Sequence, residues 1–113
     1  MKNEIKDGVM VIYLEGNLLG EHSNAPVMEL VKQVVESGSK KLLFNLAEMK
    51  FINSTGLGML LTAVSKTRNA GGEVALCSLS EQMNKLLIMT KLGSAFVVKA
   101  NEAEAIEFLK AHN

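Results

Sequence analysis

The chain is 113 residues long, 48% of them apolar, with twelve basic side chains balanced by twelve acidic ones. That length allows one domain around one core, and the balanced charge gives no electrostatic reason to bind nucleic acid or an anionic membrane. A single cysteine, Cys77, excludes an intramolecular disulfide or a thiolate zinc cluster, and no apolar run approaches the ~20 residues of a membrane span, so a soluble, cytoplasmic chain is expected.

Asp7-Gly8 stands between Glu4-Ile5-Lys6 and the apolar run 9–14. A dipeptide tolerant of positive φ between two extended runs predicts a hairpin. Gly16 and Gly20 are expected to break the second strand. Pro26, with Ser23 or Asn24 as cap, predicts a helix start. Val27, Leu30, Val31 and Val34 then share one helical face, and Gly38 ends it. Residues 41–46 read as a buried strand, followed by a loop. Leu57, Leu60, Leu61 and Val64 repeat the helical spacing, which Gly71-Gly72 closes. Residues 73–77 predict another strand. Ser80 caps a helix carrying Met83, Leu86 and Leu87, with Gly93 as its stop. Phe96-Val97-Val98 is the last strand. Asn101 with Glu104 three residues on resembles a capping box for a helix burying Ala105, Phe108 and Leu109. Strands alternating with helices predict an α/β fold in a single domain over residues 1–113. Its sheet is mixed and mostly parallel, with an N-terminal antiparallel hairpin and about four helices.

Counting excludes several chemistries. Asp7 is the only aspartate and lies in the hairpin turn, so the acidic cluster of a phosphorelay receiver is missing; the 42–46 strand ends near Asn45 instead. Met59 follows Gly56-Leu57-Gly58 where a nucleotide-binding loop needs lysine, and no G-x-G-x-x-G occurs there. Arg68 is the only arginine, so no arginine cluster can clamp a phosphate. Nucleophilic catalysis at Ser54 or Thr55 would need a base beside it. The histidines are His22, expected in a loop, and His112 near the chain end, both read as solvated and without metal-ligand spacing. No G-x-S-x-G elbow is present. The chain is therefore read as a non-enzyme without cofactor or metal, and Cys77 as a small buried hydrophobe.

One segment is more than scaffold: Lys50-Phe51-Ile52-Asn53-Ser54-Thr55-Gly56-Leu57-Gly58-Met59. Asn53 or Ser54 suits the N-cap of the helix that follows. Gly56 and Gly58 fall in its first turns, where each costs up to ~1 kcal/mol against alanine. Close approach of another backbone is the usual reason for such a cost. With Leu57, Leu60, Leu61 and Val64 turned inward, Thr55, Gly58, Met59, Thr62 and Lys66 share the opposite arc. That arc is smooth and nearly uncharged, with Met59 expected to be exposed, and it suits a docking surface better than a solvated face. Phosphate on a hydroxyl here would meet unpaired N–H groups and the positive end of the helix dipole. A partner packed on the same arc would instead face ~1.5–2 new negative charges.

At these residues the sequence resembles the STAS family, specifically the bacterial anti-sigma-factor antagonists. The resemblance spans the opening hairpin, the Gly16 break, the 42–46 strand, the Phe51–Gly58 segment and the Gly71-Gly72 turn. It implies that Thr55, the hydroxyl residue directly before Gly56, is phosphorylated by a partner that is both anti-sigma factor and serine kinase, with Ser54 as the alternative. The unphosphorylated domain would sequester that partner, the phosphorylated form would release it, and a serine phosphatase would restore it. The partner-binding residues so implied are Asn53, Ser54, Thr55, Gly56, Gly58, Met59, Thr62 and Lys66. Two positions depart from the pattern: family members commonly carry aspartate at Asn53 and often serine at Thr55. A rival within the family is a STAS subunit that docks an ABC-type ATPase of a lipid-transport complex without phosphorylation. A small-ligand-binding scaffold is the plainest alternative.

Overall fold

Asp7 and Gly8 take φ of 52° and 79°, the paired positive values that a two-residue hairpin turn needs. They fold strand β1 (Lys2–Lys6) antiparallel onto β2 (Val9–Leu18), with Lys6 opposite Val9. The structure, a computed structural model, describes residues 2–38 and 40–112, the side chains of residues 21–23 excepted. Helix α1 (Glu21–Glu36) crosses over to β3 (Lys41–Ile52), α2 (Ser54–Asn69) to β4 (Glu73–Cys77), and α3 (Glu81–Thr90) to β5 (Val97–Lys99). Helix α4 (Glu102–Lys110) follows. The sheet order is β1-β2-β3-β4-β5, parallel from β2 onward. This is the mixed sheet and helix set that the alternation predicts.

Two expectations for the strands need correction. Gly16 does not end β2. It sits at φ 68° inside the strand, beside register shifts between Tyr13 and Glu15 and between Gly16 and Asn17. Nor does a loop follow Leu46: β3 continues to Ile52, its outer half bonded to β2 alone, with Leu18 opposite Ile52. β4 pairs with β3 only as far as Asn45. The extension carries the chain straight to the start of α2.

The helix ends follow their local chemistry, with three changes. α1 begins at Glu21, where the Asn24 amide bonds to the Gly20 carbonyl at 2.8 Å, so Ser23, Asn24 and Pro26 lie inside the helix rather than at its cap. His22 is likewise helical and not in a loop; its side chain and that of Ser23 lie outside the described ones. α3 stops at Lys91, left-handed at φ 60°, before Gly93 is reached. The other ends agree with the sequence. Ser80 Oγ accepts from the Met83 amide, and Asn101 Oδ1 from the Glu104 amide. α2 closes in a Schellman arrangement, Gly72 N–H to Thr67 O and Gly71 N–H to Arg68 O.

Alternating strand residues build two cores. Ile12, Leu14, Leu42, Phe44, Leu46, Val74 and Leu76 point to the face covered by α1, α2 and α3. Val9, Val11, Leu43, Ala75 and Cys77 point to the other, where α4 packs Ala105, Ile106 and Leu109. Cys77 is buried there, and burial pushes its thiol pKa up. His112 is half-buried with its Nε2 enclosed, not solvated.

Candidate functional site

The extended β3 delivers Asn53 in a β conformation (φ −115°, ψ −174°). From there its side chain works in two directions. Oδ1 accepts from the Gly56 amide at 2.9 Å and caps α2, while Nδ2 donates to the Leu19 carbonyl at 2.9 Å, on the segment joining β2 to α1. Of the two candidate caps Asn53 is therefore the one used, which leaves Ser54 and Thr55 as the first two residues of the helix. Both are exposed. Residues at these positions have N–H groups with no intrahelical acceptor, and the first turn carries no acidic side chain. The Thr55 carbonyl in turn accepts from Asn24 Nδ2 at 3.5 Å.

The two glycines of the segment behave differently. Gly56 is buried, and an added Cβ would run into the Leu18 carbonyl oxygen and stand 2.8 Å from Ile52 Cγ1. Close approach of another backbone thus holds at Gly56, within this chain itself, so Gly56 is a packing residue rather than a surface one. Gly58 is exposed, with nothing within 4 Å of its missing Cβ.

Met59 must also be moved. It is 7% exposed and packs in the main core, not on the outer arc. The buried face of α2 comprises Gly56, Leu57, Met59, Leu60, Ala63, Val64 and Thr67. Small residues let the helix sit close to the sheet along that line. The solvent face then holds Ser54, Thr55, Gly58, Thr62, Ser65 and Lys66. The Thr62 hydroxyl bonds back to the Gly58 carbonyl at 3.0 Å, so this side chain lies along the helix. Beyond Lys66 the face continues into a shallow groove of about 300 Å³ between α1 and α2, floored by Val31 and Val35.

Two exposed apolar residues adjoin Asn53, and periodicity singled out neither. Phe51 is 55% exposed and Leu19 45% exposed, one leading into Asn53 and the other bonded to it. The signal that could have found Phe51 is its place directly before Ile52, since neighbours in a strand point to opposite faces.

The site supplies hydroxyls, a helix N-terminus and a smooth face. Among the described residues, no cluster of three or more His, Cys, Asp or Glu side chains could hold a metal ion. Likewise, no helix among them is long and apolar enough to cross a membrane. A mixed five-stranded sheet that raises one capped, hydroxyl-bearing helix start above the surface defines a small α/β domain of a recognisable kind. The STAS domain family matches residues 1–105, and the chain belongs to that family. It is 26% identical over 103 residues to the anti-sigma F factor antagonist of Paenibacillus polymyxa, covering 91% of this chain and 88% of that protein. Its fold is that of the Thermotoga maritima protein TM1081 (TM-score 0.87, 22% identity, 96% of this chain and 93% of the other). SpoIIAA, solved in unphosphorylated and phosphorylated forms, shares it at TM-scores of 0.76 and 0.73. Identities are 22% and 24%, over 97% and 95% of this chain and 97% and 96% of the other.

Proposed function

We propose that this chain is an anti-sigma factor antagonist, acting as a phosphorylation-controlled binding switch in the cytoplasm with residues 1–113 as one domain. In the unphosphorylated state it sequesters an anti-sigma factor that is also a serine kinase. Phosphate on Thr55, with Ser54 as the alternative acceptor, releases that partner, and a serine phosphatase resets the switch. The chain itself performs no turnover and needs no cofactor. The observation that carries this reading is the exposed Ser54-Thr55 pair at the start of α2, flush with a face that Gly58 leaves open.

The physics of the switch is asymmetric. Phosphate at the first or second helical position faces N–H groups without acceptors and the positive end of the dipole, so the free domain tolerates it. A partner packed over Ser54, Thr55, Gly58, Thr62 and Lys66 would have to bury that charge at a close contact. Near-complete switching requires docking to weaken ~10⁴-fold, about 5.5 kcal/mol, which a charge in a dry contact is able to supply. Asn53 acts beside this surface as cap and clip. Gly56 and Met59 act beneath it.

The test is mass spectrometry of the native protein recovered gently from its own cells, reading the peptide with Ser54 and Thr55 and whatever co-purifies. Phosphate on either residue with an ATP-binding kinase partner is the expected result. In vitro, Thr55→Glu should leave the melting temperature within a few degrees of wild type and lower partner affinity by about 100-fold or more. An unmodified peptide under every growth condition, with a transporter ATPase attached, would replace the switch with constitutive docking.

A further inference from the structure

The β2–α1 segment is not a bystander to the hydroxyl-bearing turn. Four contacts lock the two together. Asn53 Nδ2 donates to the Leu19 carbonyl at 2.9 Å, and the Asn53 amide approaches the Leu18 carbonyl at 3.5 Å. Gly56 lies so close to the Leu18 carbonyl that no Cβ fits between them. Asn24 Nδ2, one turn into α1, reaches the Thr55 carbonyl. Leu19 stands 45% exposed on this held segment, its carbonyl bonded to the residue that precedes Ser54, although Leu18 before it is buried.

An exposed leucine on a tightly held backbone is different from one on a loose loop. Its position is fixed before any partner arrives, so little ordering cost remains when it is covered. The Asn53 side-chain amide holds both parts at once, the helix start through Oδ1 and Leu19 through Nδ2. We infer that Leu19 is a specificity-determining contact of the same docking face and that Asn53 is its positioning residue. The inference rests on the partner-switch reading for the identity of the partner, the ATP-binding anti-sigma kinase, but not for the positioning itself.

Asn53→Ser separates the two jobs of the amide. Serine caps a helix about as well as asparagine but is too short to reach the Leu19 carbonyl. Asn53→Asp keeps the cap as well, and turns a carboxylate oxygen toward that carbonyl where an N–H stood. Both variants should therefore melt close to wild type. Both should speed hydrogen exchange at the amides of residues 19–21 in the free chain.

The functional arm uses the anti-sigma kinase identified with the wild-type chain, made separately, with affinity measured by calorimetry. Leu19→Ala and Asn53→Ser should each weaken binding about tenfold, and the double variant should be little worse than either. Additive losses would overturn the positioning link, and unchanged affinity in Leu19→Ala would overturn its role as a contact. Unchanged exchange at residues 19–21 in both Asn53 variants would overturn the inference whatever the partner proves to be. A wild-type chain that binds no such kinase would instead overturn the reading of function, with the exchange result still deciding whether Asn53 positions the loop.

Discussion

Replacing Gly56 with alanine puts a methyl group into the Leu18 carbonyl and against Ile52 Cγ1, both of them parts of a packed strand end. The Leu18 carbonyl cannot yield without moving β2 or the start of α2, and the Ile52 side chain must shift as well. Gly56→Ala should therefore lose at least about 1–3 kcal/mol of stability, as overpacking does, read by urea unfolding. Gly58→Ala, two residues on, meets nothing within 4 Å. It should gain up to ~1 kcal/mol from helix propensity alone. That same methyl group would stand on the proposed docking face, so the variant that melts higher should bind its partner less well. A Gly58→Ala protein that bound as tightly as wild type would remove Gly58 from the contact. Residue-scale chemistry also explains how Asn53 differs from an aspartate. A carboxylate can cap α2, but only the amide can also donate to Leu19.

Among the elements, what could be read in the sequence depended on which physical signal each one carried. Turns and caps were legible because their chemistry is local: Asp7-Gly8, Ser80, Asn101 and Gly71-Gly72 act where the sequence predicts. Ser80→Ala should accordingly cost about 1 kcal/mol, again by denaturant unfolding, since the Met83 amide loses its acceptor. The outer half of β3 was not legible. Residues 47–52 bond to β2 but not to β4, so one edge carries polar, exposed side chains and the run looks like a loop. The orientation of α2 was only partly legible. Reading the large residues Leu57, Leu60, Leu61 and Val64 put the core face roughly 60° away from its actual centre. The true centre is marked by Gly56, Ala63 and Thr67, which are small because the helix lies close there. Met59 was carried into the core by that rotation, while Thr55, Gly58, Thr62 and Lys66 stayed outside. The Asn53 clip and the exposure of Leu19 were not legible, because both depend on two segments 34 residues apart meeting in space.

Helices cover both faces of the sheet, and the proposed docking surface lies on one of them, so its independence from the other is testable. α1, α2 and α3 share one side of the sheet with the candidate docking surface, and α4 lies alone on the other. What ties α4 down, besides its apolar contacts, is a polar cluster at its first turn. Glu102 accepts from Lys6 Nζ at 2.6 Å and from Asn45 Nδ2 at 3.1 Å, linking α4 to β1 and β3. Lys2 and Lys6 both lie over the Tyr13 ring, and burial pushes the Tyr13 pKa up. Burial also pushes Glu102 upward, but the hydrogen bonds from Lys6, Tyr13 and Asn45 outweigh it and hold the carboxyl below its ordinary 4.5. The Lys6 ammonium is raised above its ordinary 10.5, chiefly by the bond to Glu102. A depressed acid contributes stability above its unfolded value and loses it as pH falls through the folded one. A raised base contributes below its unfolded value and loses it as pH rises through the folded one. The pair should therefore help most between 4.5 and 10.5. Glu102→Gln should lower the melting temperature modestly at pH 7, since the pair is partly exposed and screened. The gap to wild type should narrow as the pH falls below 4.5 and close once it has passed the carboxyl's lowered folded value. Partner affinity at pH 7 should not change, because the cluster lies on the α4 side of the sheet. A loss of affinity in Glu102→Gln without a matching loss of stability would mean that the two faces communicate, and that the docking surface includes the α4 side.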